Sequence, residues 1–92
     1  MTRPDPNVTP VASAHAPTDT LLLCVDMQPV FIRAVADGAS VQQRCEFAVA
    51  AARGLALPIL FTEQVPEKLG GTAPTLRALA PDARVLGKRT FS

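Results

Sequence analysis

The sequence predicts an α/β fold built on a parallel sheet, and three observations carry that prediction. Two short apolar runs, LLLCV at 21–25 and PILFT at 58–62, each lead into polar residues. Such runs fit strands buried on both faces. Between them, residues 40–53 place apolar side chains at helical spacing. Strand, helix and strand over about 40 residues make a βαβ unit, which is expected to be parallel and right-handed.

Taken in order, residues 1–18 carry Pro4, Pro6, Pro10 and Pro17 and contain no Leu, Ile or Phe. That stretch buries too little apolar surface to offset its ordering entropy, so it reads as a flexible tail. His15 lies in it and reads as a solvated residue rather than a ligand or base. The domain then occupies residues 19–92. Leu21–Val25 forms the first strand and Asp26 follows it. Pro29 suits the first position of a short helical turn over Val30–Ala34, and Asp37-Gly38 marks a loop.

Ser40–Arg53 is the main helix. Ser40 with Gln43 fits a capping box. Val41, Cys45, Ala48, Val49, Ala52 and Leu55 share one stripe, and Gly54 suits a left-handed helix end. Pro58–Thr62 is the second strand, and Val65–Gly71 a loop. Thr72 is placed to cap a short helix with Pro74 in its first turn. Arg84–Leu86 starts a third strand.

Composition limits the function. Apolar residues are 48% and charged residues 18%, which excludes a wholly disordered chain. The net charge of +1 gives no footprint for nucleic acid or an anionic membrane. No run approaches the roughly 20 apolar residues of a membrane span. No apolar stretch of signal-peptide length precedes residue 20. The two cysteines, Cys24 and Cys45, make no disulfide framework, so a reducing cytoplasm is expected.

Ligands of parallel α/β sheets bind outside the carboxyl ends of the strands. Asp26, Glu63-Gln64 and Lys88 fall at those ends. If neighbouring strands carry them, Asp26 and Lys88 form an acid/base pair in one crevice. The alternative is a set of solvated strand ends with a surface ion pair. Cys24, Cys45 and Met27 read as core-filling residues. Phe31 and Phe91 read as core or pocket wall. Gly70-Gly71 lacks the spacing of a phosphate loop.

Three strings share a further pattern. LLLCVDMQPVF resembles the opening of the isochorismatase-like cysteine hydrolases, whose first strand ends in Asp-x-Gln. FTEQVPEKLGGTAPTL resembles the second-strand segment of a metal-independent subgroup, the isochorismatase-domain-containing proteins. GKRTFS resembles that subgroup's Lys-x-x-Phe-Ser. Together they cover about residues 21–92, in order and at compatible spacing.

The resemblance implies a three-layer α/β/α, Rossmann-like sheet and hydrolysis of a small amide or related C–N or ether substrate through an Asp-Lys-Cys triad. It makes Asp26 the base that takes the thiol proton and Lys88 the cation that stabilises developing negative charge. Gln28, Phe31, Glu63 and Gln64 become pocket and substrate-binding positions. Family members with a metal carry Asp-x-His after the second strand; the matching Glu63-Gln64-Val65-Pro66 has no His, so no metal and no cofactor are expected. The family's nucleophilic cysteine lies at a helix start beyond the Lys motif, where neither Cys24 nor Cys45 falls. The chain therefore reads as the N-terminal part of such a domain, from a truncated or frameshifted product or an expressed piece. A small-molecule substrate and possible homo-oligomers follow for the full-length family. The competing reading is a catalytically inactive half-domain that acts through protein–protein association.

Overall fold

The computed structural model describes residues 19–89. The tail at 1–18, His15 within it, and Phe91 lie outside the described residues. Seven elements follow one another: β1 (Leu22–Val25), α1 (Pro29–Ala34), α2 (Gly38–Gly54), β2 (Ile59–Gln64), α3 (Pro66–Leu69), α4 (Pro74–Leu79) and β3 (Arg84–Lys88). The strands form one parallel sheet in the order β1-β2-β3. The α/β class and the parallel sheet are those the sequence predicts, with β2 in the centre.

Register fixes which side chains share a face. Cys24 pairs with Phe61, and Phe61 with Val85. Side chains alternate along each strand, so these three share one face. The core gathers on it: Phe61, Val49 and Leu76 are fully buried, with Ala52, Ala73 and Ala80 around them. Arg77 lies over the Phe61 ring, 5.5 Å from its centre, a placement that favours the cation. The opposite face carries Leu23, Val25, Leu60, Thr62, Gln64, Leu86 and Lys88. There Leu23, Val25 and Leu86 are about half exposed. Among the described residues, α2 and α4 cover only the Phe61 face.

Four local expectations are corrected. Helix α2 begins at Gly38 rather than Ser40, and its N-cap position, Asp37, makes no side-chain cap. Ser40 sits inside the first turn, so the capping box does not form. The reason is tertiary: a Cβ at Gly38 would stand 2.0 Å from the Ile32 carbonyl oxygen. Only glycine lets the end of α1 press against the start of α2.

The left-handed helix end falls on Ala56 (φ 58°), not Gly54. Ala56 N–H bonds Arg53 O at 3.1 Å and Leu57 N–H bonds Ala52 O at 2.9 Å. That pair of bonds is a Schellman motif. It satisfies two terminal carbonyls and offsets the cost of a left-handed alanine, about 1–2 kcal/mol.

The expected loop at 65–71 holds a one-turn helix, α3, which Val65 enters at φ 39°. Finally, Thr72 does not cap α4, whose N-cap position is Ala73. Its N–H and hydroxyl both bond Glu63 Oε2, at 2.7 and 2.8 Å.

Candidate active site

The site forms where β1 and β3 end on either side of β2. Asp26 follows β1 directly and adopts φ 54°, a left-handed conformation in which Asp is enriched. That turn breaks the strand's alternation. Unbroken alternation would put Cys24 and the Asp26 carboxylate on one face; after this turn they do not share one. Cys24 faces the core, whereas the carboxylate reaches Thr62 on the other face.

Thr62 holds Asp26 in two ways. Its hydroxyl donates to Asp26 Oδ1 at 2.8 Å. Asp26 N–H in turn is shared between Thr62 Oγ1 at 3.1 Å and Thr62 O at 3.0 Å. Lys88 completes the arrangement from β3: its Nζ lies 3.0 Å from Asp26 Oδ1 and 3.1 Å from Oδ2. The strands are about 4.8 Å apart, so the lysine and aspartate side chains together bridge roughly 10 Å across the central strand. Both side chains keep only about a fifth of their surface exposed. The pair is thus partly withdrawn from water, where charge-assisted bonds are stronger than on an open surface.

The other sequence-predicted positions fall into two groups. Gln28 is fully buried and bonded to backbone. Its Nε2 donates to Gln64 O at 3.0 Å and Gly70 O at 2.6 Å, and its Oε1 accepts from Gln64 N–H at 2.7 Å. It clasps the end of β1 to the end of β2 and to the loop after α3. Glu63 points to the opposite face from Thr62 and is closed onto Thr72. A Cβ at Gly71 would approach Glu63 Oε2 to 3.2 Å, so the loop passes close to this carboxylate. These two side chains hold the scaffold of the site.

Gln64 and Phe31 differ from them. Gln64 is the register partner of Lys88 and shares the Thr62 face. Its side-chain Nε2 and Oε1 are buried without a hydrogen-bond partner among the described residues. Phe31 is half-buried on α1.

Thr62 was absent from the sequence-predicted set, where it reads as the last residue of an apolar strand. The available signal was its place: a hydroxyl on the strand that must neighbour the aspartate-bearing strand, two positions from Gln64.

Both cysteines are unpaired. Burial pushes the Cys24 thiol up, and nearby Cys45 adds to the rise. Burial also raises the Cys45 thiol, with a smaller contribution from Glu46. Neither environment favours a thiolate. Among the described residues, no group of three or more His, Cys, Asp or Glu stands ready to hold a metal ion. Nor is any of their helices long and apolar enough to cross a membrane.

The family model of the isochorismatase domain matches residues 20–92. The chain belongs to that family. A solved structure, the MAR1 ribonuclease from Caenorhabditis elegans, is similar to this isochorismatase domain with 32% identity and a TM-score of 0.72. The likeness covers 78% of this chain and 38% of the MAR1 chain, so this domain spans well under half of that relative. No curated protein sequence matches.

Proposed function

We propose that the chain contributes the aspartate and lysine of a cysteine-hydrolase site that acts on a small amide or a related C–N or ether bond. The observation behind this is the Asp26 carboxylate, held between the Thr62 hydroxyl and the Lys88 ammonium at the carboxyl end of the sheet. Asp26 takes the proton of an attacking thiol. Lys88 offsets the charge that then develops. Thr62 keeps one carboxylate oxygen oriented, leaving the aspartate preorganised as a base.

The thiol comes from outside these residues. Cys24 and Cys45 are the only cysteines in the chain, and both lie at or against the core with raised thiols. Gln28 and Glu63 serve the site by fixing its backbone. Gln64 borders it as the register partner of Lys88, and Phe31 is proposed as a substrate-binding position. On this proposal the domain is the N-terminal portion of a hydrolase, and a cytoplasmic location is part of the same proposal.

A second reading has its own support. The half-exposed row of Leu23, Val25 and Leu86 suits an inactive half-domain that works by association. The relative named as a ribonuclease adds RNA to the substrates to be assayed, although a net charge of +1 supplies no phosphate-binding stripe.

Reading the coding DNA past the Ser92 codon and assaying the extended product separates these. The hydrolase reading expects a cysteine-bearing continuation with turnover of a small amide. It also expects Asp26→Asn to cut kcat by about 100-fold or more. Turnover unchanged by Asp26→Asn overturns it, and an inert product that assembles through the sheet supports the second reading.

A further inference from the structure

We propose that the buried amide of Gln64 is a second seat for the Lys88 ammonium, taken up when Asp26 is neutral. The inference rests on the reading of Asp26 as a base, because a base must at some point carry the proton and lose its charge. Gln64 is then a positioning residue that acts through Lys88.

Three observations lead to it. The first is the orphaned amide. Gln64 is fully buried, yet among the described residues neither Nε2 nor Oε1 has a partner. Buried polar groups in folded proteins are nearly always bonded, so an exception calls for a cause. The second is that the Gln64 backbone is pinned, which fixes where its side chain is rooted. Its N–H and C=O are both clasped by Gln28, at 2.7 and 3.0 Å. The third is register. Gln64 pairs with Lys88 across the β2–β3 ladder, so both side chains stand side by side on the Thr62 face. To reach Asp26, the lysine arm must cross the face that presents Thr62 and Gln64.

With Asp26 charged, the ammonium has two carboxylate oxygens within 3.1 Å. Once Asp26 holds a proton, that attraction falls away and the cation is left partly buried. A charge in that position requires a hydrogen-bonded neighbour. Gln64 Oε1 is the neutral acceptor that register sets beside it, and Lys88 has three donors to offer. An amide rooted beside the lysine lets it stay at the site through both states of the aspartate.

The charged groups nearby do not replace this role. Glu63 is on the opposite face and closed onto Thr72. Arg84 sits at the far end of β3, paired in register with Leu60. Glu67 and Arg89 pair with each other at the exposed rim, 3.4 Å apart.

The test uses the whole 92-residue chain and Asp26→Asn as the stand-in for a neutral aspartate. By nuclear magnetic resonance, D26N should show a through-space contact between the Lys88 ε-methylene and the Gln64 side-chain amide that the parent lacks. A thermal double-mutant cycle gives the second readout. In the parent, Gln64→Met removes an unpaired amide and should leave Tm unchanged or raised. In D26N the same change should lower Tm by about 4 °C or more. A purely structural Gln64 would lose the same stability in both backgrounds. Equal Tm changes, or no Lys88–Gln64 contact in D26N, overturn the proposal. If D26N does not fold, the parent chain in acid is examined for the same contact, and its absence is equally decisive. A failed hydrolase assay leaves these readouts untouched, so the two readings fail separately.

Discussion

Thr62 donates its hydroxyl proton to Asp26 Oδ1 at 2.8 Å, and Asp26 N–H returns a bond to that same hydroxyl at 3.1 Å. The reciprocal pair joins the first two strands 36 residues apart in sequence. It also sets the carboxylate that Lys88 approaches. Thr62→Val keeps the shape and removes both bonds. Urea unfolding should show a loss of about 1 kcal/mol, with Thr62→Ser close to the parent. Equal midpoints for all three chains would mean that the hydroxyl contributes nothing to the site.

Gln28 leads to a larger expected effect. Replacing it with Leu leaves Gln64 N–H, Gln64 O and Gly70 O without their side-chain partner. An unsatisfied buried group costs about 1–3 kcal/mol. Gln28→Leu should therefore lower unfolding stability by roughly 3 kcal/mol or abolish the cooperative transition. A midpoint within experimental error of the parent would show that these backbone groups find other partners.

The contrast between these residues explains what the sequence made legible. The strands were readable because LLLCV and PILF are apolar throughout and lead into polar residues. The Asp26–Lys88 meeting was readable because both residues close strand runs of one parallel sheet. The Gln28 clasp was not, because nothing local in Gln-Pro announces a partner 36 residues away. Thr72 misled for a similar reason: its hydroxyl fits a helix cap, but a buried carboxylate on β2 competes for it. Ser40 and Gln43 carried a local capping pattern, yet the close approach of Ile32 to Gly38 decided where α2 begins. Each miss is a tertiary contact overriding a local preference.

The raised cysteine thiols carry a pH prediction. The folded chain holds these protons more tightly than the unfolded chain, whose thiols titrate near their ordinary value of 9.0. Between that value and the raised folded values, the folded state binds more protons. Their stabilising contribution is therefore complete below pH 9.0 and declines as pH rises toward the folded values. Denaturation curves across this range should show a steeper loss for the parent than for Cys24→Ala, since lysines titrate in both. Parallel curves would mean that Cys24 ionises as freely in the fold as out of it.

The uncovered sheet face leads to association. Leu23, Val25 and Leu86 stand on the face that no helix covers among the described residues, each about half exposed. Leu60 joins them from the central strand through its pairing with Leu23. Strands β1 and β3 are both edges of this three-stranded sheet, and edge strands offer unpaired backbone groups to other chains. An apolar row of this kind, next to open edges, drives self-association or aggregation when nothing else covers it. The purified chain should sediment as a concentration-dependent mixture and unfold over a broad range. Leu23→Lys and Leu86→Lys place charges on that face without touching Phe61 or its neighbours. They should shift the mixture toward monomer while leaving far-ultraviolet circular dichroism unchanged. A parent chain that is monomeric at every concentration, with one sharp unfolding transition, would show that this face is stable in water as it stands. It would then carry no argument for a partner or a second copy.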